Sequence, residues 1–380
     1  MSCRSTLYRT IPAACLLTVV WQGGALAQTA AADTASHGFL ETVRRHTVLT
    51  STTPANGDQN PYAVVVAPVS AGKVQKDDVL VTNFNNSGNL QGLGTTIVDY
   101  NPGTKTLSLF ASLPRHLPQC PGGIGLTTAM TMLKSGWVIV GSLPSQDGTT
   151  ATKGDGCLLV LDSQGKLASV WTGPTINGPW GNMAVVDRGT SATLFVSNTG
   201  FGVGAPGQDV VKKATVLRLE LTIPPGQAPR IDRQTVIADG FAEQADKDVF
   251  TIGPTGLALG ANDTLYVSDA IGNRIAAIDS ATTRTSSAGI GREVTSNGFL
   301  KRPLALALAP NGHLVAVNGL NGQVVEIDPA DGHQMYAQWI DPNKAQSPPG
   351  SGDLFGIAMT PAGDGFYYVE DENNTLVLAH

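Results

Sequence analysis

A unit of about 50 residues recurs six times along this chain, and that recurrence limits the fold more than any other feature of the sequence. Its clearest copy runs Gly253-Pro-Thr-Gly-Leu-Ala-Leu-Gly, Asp263-Thr-Leu-Tyr-Val-Ser-Asp269 and Gly272-Asn-Arg-Ile-Ala-Ala-Ile-Asp279, three strand-like runs separated by turn residues. The next copy, Arg302-Pro-Leu-Ala-Leu-Ala-Leu, Gly312-His-Leu-Val-Ala-Val-Asn318 and Gly322-Gln-Val-Val-Glu-Ile-Asp328, is followed by a fourth apolar run from Gln334 to Ile340, so each unit holds four strands. The same order returns, more loosely, around Leu354, Pro179, Thr127 and Pro61.

Taking Ala63, Thr128, Gly181, Gly256, Ala305 and Gly356 as equivalent, the intervals are 65, 53, 75, 49 and 51 residues. Four strands at a spacing near 50 predict an all-β fold, a six-bladed β-propeller with four-stranded antiparallel blades. No window of 3.6-residue amphipathicity competes with β-branched and aromatic runs bounded by Gly, Asn and Asp. Small residues such as Gly256, Ala258, Ala305 and Gly356 suit the crowded centre where blades taper.

The last copy stops after its third strand, and a ring with an unpaired end leaves an edge open. The β-like run within residues 43–53 is therefore expected to supply the outer strand of the last blade, giving one domain over 43–380 after an extension over 28–42.

These units resemble NHL repeats and the six-bladed propellers of the SMP-30/gluconolactonase group, through Gly253-Pro254-Thr255-Gly256-Leu257-Ala258, Tyr266-Val267-Ser268-Asp269 and Asn273-Arg274-Ile275. The resemblance spans residues 60–380. It implies the fold and leaves binding scaffolds, lyases and hydrolases all open. Lactonases of that group hold a divalent metal through acidic and amide side chains at first-strand starts. The comparable positions here carry Tyr62, Trp180, Thr255, Leu304 and Phe355.

Residues 1–27 pass from Arg4 and Arg9 through an apolar stretch, Ile11 to Trp21, to Ala25-Leu26-Ala27, the layout of a cleaved secretory signal; an uncleaved anchor is the alternative. Export to the periplasm or beyond is the expectation. Of four cysteines, Cys120 and Cys157 lie outside that segment, so they form one disulfide or remain two buried thiols. Without Arg4 and Arg9 the chain carries 22 basic and 30 acidic residues, a balance of −8 that argues against nucleic acid as a partner. No run is long enough to span a bilayer, and a monomer is expected.

Antiparallel blades bring the starts of first strands, the ends of second strands and the starts of third strands to one face. There the second-to-third connections are long in the first three blades: Phe84 to Gly94, Leu143 to Gly156 and Thr199 to Ala214. Long loops on one side of a rigid scaffold mark a binding face, although insertions are also tolerated there. Both cysteines fall on this face.

Around the opening, Tyr62, Trp180, Phe355, Thr255 and Asp371 are the candidate binding residues; plain channel packing is the competing role. The second-strand ends Asn83, Asn198, Asp269 and Asn318 are the catalytic candidates, set against a turn-forming role common to Asx residues. His37, His46, His116, His313, His333 and His380 show no metal-ligand spacing. The leading expectation is a non-catalytic module that binds a small molecule, glycan or protein. The alternative is a hydrolase, lactonase or lyase, with Ca²⁺ or another divalent cation at the opening.

Overall fold

The computed structural model describes residues 38–380 apart from 201, 205, 206 and 208. The expected signal segment lies outside the described residues. Six antiparallel sheets follow one another in chain order. Blade 1 is Gln59–Val66, Val79–Asn85, Thr96–Asn101 and Thr106–Ser112, and blade 2 is Leu126–Met132, Val138–Ser142, Cys157–Leu161 and Leu167–Trp171. Blade 4 is Pro254–Leu259, Leu265–Asp269, Arg274–Ile278 and Arg292–Ser296, and blade 5 is Pro303–Leu308, Leu314–Asn318, Gln323–Ile327 and Gln334–Trp339.

Blade 6 consists of Leu354–Met359, Phe366–Glu370 and Thr375–Ala379, and its outer strand is the N-terminal His46–Ser51, paired antiparallel with Val48 opposite Val377. The ring thus closes with the strand expected from residues 43–53. Just upstream, the buried Glu326 carboxylate of blade 5 accepts the Phe39 and Leu40 amides at 2.7 and 2.8 Å and anchors the short helix Phe39–Thr42. His313 Nδ1 lies 2.7 Å from the same carboxylate.

Blade 3 departs from the common pattern. It comprises Ala184–Asp187, Ser191–Asn198, Val211–Thr222 and a 17-residue strand, Arg230–Asp246, that turns back into a fifth strand, Phe250–Ile252. Its third strand begins at Val211 rather than near Thr215, because Val211 pairs with Glu243 and extends the ladder toward the mouth. The extra hairpin carries Phe250 into the centre of the ring.

Two devices recur at the axis. Inner strands approach so closely that a Cβ on Gly181, Gly256 or Gly356 would come within 2.5 Å of the next blade's backbone, which explains glycine at those repeat positions. A hydroxyl just before Asn83, Asn198 and Asp269 on the second strands then ties neighbours together. Ser197 Oγ accepts the Gly181 amide at 3.1 Å and donates to the Thr255 carbonyl at 2.9 Å. Thr82 does the same between Ala63 N and Thr127 O, and Ser268 between Gly256 N and Leu304 O. Each hydroxyl fills the break in ladder pairing that a bulged first strand leaves.

Candidate functional site

The four candidates on the second strands point away from the axis and into the blades; in blade 1 the strand runs on to Asn85, two residues past Asn83, because Asn85 pairs with Gln59. Asn83 donates to Thr52 O at 3.0 Å, and Asn198 donates to Thr175 O at 3.2 Å. Asn318 donates to Phe299 O at 2.9 Å and accepts Lys301 N at 2.9 Å. Asp269 accepts Gly272 N and forms a buried ion pair with Arg274 at 2.9 Å. All four are buried blade fasteners, and none lines a cavity at the mouth. Their short polar side chains brace the turn that launches the third strand. The equivalent position in blade 6 is Glu370, opposite Leu354 as Asp269 is opposite Pro254; Asp371 lies one residue further, in the turn.

At the axis the aromatic candidates pack on one another. Tyr62 stacks on Phe355 at 4.0 Å and on Phe84 at 4.5 Å, and Trp180 meets Tyr62 and Phe84 edge-on at 5.7 and 5.4 Å. Phe250 completes the group 5.3 Å from Phe84. Its φ of +67° is a left-handed conformation that costs a bulky residue of the order of 1 kcal/mol, far less than burying a phenyl ring returns. Thr255 is buried beneath, donating to Gly253 O at 3.0 Å. Tyr62, Trp180, Phe355 and Thr255 therefore form a closed plug in this structure, the packing role set against binding at the sequence level.

Closing the axis leaves a polar cavity of about 550 Å³ displaced toward the seam between blades 6 and 1, on the expected face. Four segments wall it: the start of blade 1 with its 86–91 loop, the 341–353 connection into blade 6, the 371–374 turn of blade 6, and the tip of the blade 3 hairpin. Gln91 Nε2 donates to Asp248 O at 2.8 Å and holds that tip across the ring. Asn60, left-handed at φ +64°, donates its backbone amide to Asn374 Oδ1 at 2.6 Å and so ties blade 1 to blade 6. The loops of blades 2 and 3, expected to crown the site, are not in its wall. Blade 2's loop is instead pinned by the Cys120–Cys157 disulfide, whose partners sit where the sequence placed them.

Carboxyl groups dominate the electrostatics. Asp353, 3% exposed, is raised to about 7 by burial first and then by its hydrogen bond to the Asp341 carboxyl; Gln346 donates to it in opposition. Burial and the neighbouring Asp353 push Asp371 well above the usual carboxylate range. Glu372 is exposed at the rim and shares the Asn343 and Gln346 amides with Asp353. Behind the wall, burial and Asp341 also raise Glu370. Of the sequence candidates only Asp371 lines this cavity; Asp353, Glu372, Asn60 and Asn85 were missed. Asp353, two residues before Phe355, was the visible signal.

A divalent cation does not fit the residues present at the axis. First-strand starts offer an indole, a phenol, a phenyl and a hydroxyl rather than hard oxygen anions. Among the described residues no group of three or more His, Cys, Asp or Glu side chains converges as a metal site. None of the described helices is long and apolar enough to cross a membrane.

No protein-family model matches the sequence, and no curated protein matches it. Solved structures do match in fold. A gluconolactonase from Xanthomonas campestris superposes with a TM-score of 0.54 at 14% identity, covering 88% of each chain. The PQQ-bound aldose sugar dehydrogenase of Streptomyces coelicolor gives 0.52 at 16% identity, over 88% of this chain and 98% of that one. Regucalcin, a calcium-binding protein of Agrobacterium tumefaciens, gives 0.51 at 11% identity, over 89% and 93%. With six blades closed by the N-terminal strand, the chain has the β-propeller fold of the SMP-30/gluconolactonase-like and regucalcin structures.

Proposed function

We propose that this chain is an exported, monomeric hydrolase of small hydroxyl-bearing esters, and that the cavity at the seam of blades 6 and 1 is its working site. The observation that carries the reading is Asp353, a buried carboxyl held to about 7 at the wall of a polar cavity, beside the exposed carboxyl Glu372. Two acidic groups in unlike surroundings suit proton donation and proton acceptance near neutral pH. Neighbouring solved structures of this fold include a gluconolactonase, which makes a ring ester the first substrate class to try.

In this scheme Glu372 takes a proton from water as its oxygen attacks the ester carbon. Asp353 gives its proton to the departing alkoxide oxygen as the carbon–oxygen bond breaks, and solvent returns the proton from Glu372 to Asp353. Ester plus water becomes acid plus alcohol, and both carboxyls end as they began. Asn60, Asn85 and Gln346 orient the substrate's polar groups, while Asp341 positions Asp353. The Cys120–Cys157 bridge supports an oxidising compartment, in keeping with residues 1–27.

A panel of hydroxylated lactones assayed from pH 5 to 9 tests the reading. Asp353→Asn is expected to lower kcat by on the order of 10²- to 10⁴-fold with KM little changed. Equal turnover by the variant refutes the assignment. The second reading, a non-catalytic binder, draws on the amide-rich wall and predicts ligand affinity with no turnover of any ester in either protein.

A further inference from the structure

The seam cavity is acidic without compensation. Asp248, Asp353, Asp371 and Glu372 line it against a single cation, Lys247, and Asp341 and Glu370 stand directly behind. That lysine is exposed and paired with Asp248 at 3.2 Å, and the neighbouring Arg302 is held by Asp246 at 3.0 Å. Among the described residues, no Lys or Arg ion pair reaches Asp353, Asp371 or Glu372.

A second observation is independent of charge. Asn60 and Asn85, 5% and 2% exposed, line the same cavity, and the side-chain carbonyl oxygen of each lacks a hydrogen-bond partner. Buried amide oxygens without donors are costly to leave so. Oxygen acceptors, ionic and neutral, therefore crowd one space that offers few donors.

We infer that this cavity takes a cationic, hydroxyl-bearing small molecule, its ammonium group held by Asp371 and Glu372 and its remaining donors met by Asn60 and Asn85. The inference rests on the reading above that the cavity is the working site, and it names the substrate class. An ammonium brings three donors and a positive charge, which a neutral polyol lacks and an anion reverses.

Proton linkage gives a signature. Asp353 and Asp371 face each other, Asp341, Glu370 and Glu372 from blade 6 and its entry loop, Asn60 and the Tyr62 phenol from blade 1, and Asp246, Lys247 and Asp248 from the hairpin. Burial and like charge keep both protonated at pH values where ordinary carboxyls are ionised. A cation that ionises Asp371 must release a proton, so its affinity rises with pH, while Asp353 keeps the proton it gives in the scheme above.

The test is calorimetry of the whole protein with three linear polyols of one size, N-methylglucamine, sorbitol and gluconate, at pH 6 and 8 in buffers of different ionisation enthalpy. N-methylglucamine is expected to bind at least tenfold more tightly than the other two, more tightly at pH 8 than at pH 6, and with proton release. Asp371→Asn and the rim variant Glu372→Gln, checked for native unfolding temperature, should each weaken it at least fivefold. Equal affinity for sorbitol or gluconate, no proton release, or unchanged affinity in Glu372→Gln overturns the inference. CaCl₂ binding in place of the amine overturns it as well. Turnover of neutral esters through Asp353 without gain from an ammonium group rejects this inference and leaves the hydrolase reading intact; ammonium-dependent binding without turnover does the reverse.

Discussion

Asp353→Asn should make the protein more tolerant of alkaline pH. Holding a carboxyl at about 7 in the fold, against 3.8 in the unfolded chain, costs the ionised native form about 4 kcal/mol. Because the folded value is the higher one, the native state binds more protons than the unfolded state between these limits. Stability from this group is thus fully present below about pH 4 and is lost as pH rises through 7. For a ring of this size 4 kcal/mol corresponds to about 5 °C in Tm. Asp99, also raised to about 7 by burial and by Asp78, adds a slope of the same sign that the substitution leaves alone. Calorimetric unfolding of both proteins at intervals from pH 5 to 8.5 isolates the difference. Asn can donate to Asp341 as the protonated acid does, so the variant's Tm relative to the wild type should rise by about 3 °C between pH 5 and pH 8.5, the share of the loss that falls above pH 5. Parallel Tm curves across that range would refute the assignment of a buried, protonated Asp353.

Three further outcomes follow from the packing. Trp180→Ala removes an indole from the axial plug and should cost about 3–5 kcal/mol in urea unfolding, with exposure of Phe250 to collisional quenchers or dye. Cys120→Ser with Cys157→Ser opens a covalent loop of 37-residue separation, for which chain entropy gives an upper figure of about 4 kcal/mol; a loss near zero would mean that the blade 2 loop is held by its backbone contacts alone. Glu326→Gln weakens the amide cap on Phe39 and Leu40 by about 2 kcal/mol, and hydrogen exchange should rise first in His46–Ser51, the strand that closes the ring. Its carboxyl is held below the usual range: burial alone would raise it, and its hydrogen bonds outweigh that. The stabilisation it gives is thus lost as pH falls through that depressed value.

The repeat made the ring legible because every blade needs the same close approach at the axis. Gly181, Gly256 and Gly356 recur for a steric reason that any copy must obey, and the strand around residues 46–51 was implied by a blade one strand short. The disulfide was one of two readings of an even cysteine pair, and the face on which both fall made it geometrically reasonable. Blade 3 was less readable: alternation in residues 230–252 signals strands but not that their hairpin reaches across the ring, since a tertiary contact such as Gln91 to Asp248 has no local trace. The site was displaced for the same reason. Tyr62, Trp180 and Phe355 read equally as an apolar floor or as a plug, and Phe250, distant in sequence, decides it by filling the opening. Asn83, Asn198, Asp269 and Asn318 look like a polar ring from their spacing, yet their hydrogen bonds run outward to neighbouring turns. Asp353 and Asp341 acquire their chemistry only from burial beside each other, which spacing along the chain does not encode.

The claim on which the functional account turns is that the plug seals the axis and moves the working space to the blade 6–blade 1 seam. A crystal structure of the protein soaked with N-methylglucamine or a slowly hydrolysed hydroxylated lactone tests it directly. Density bounded by Asn60, Asp353, Asp371 and Glu372, with Phe250 still seated against Phe84, is the predicted result. Density on the axis in place of Phe250, or over the blade 2 and blade 3 loops with the seam filled only by solvent, would contradict it.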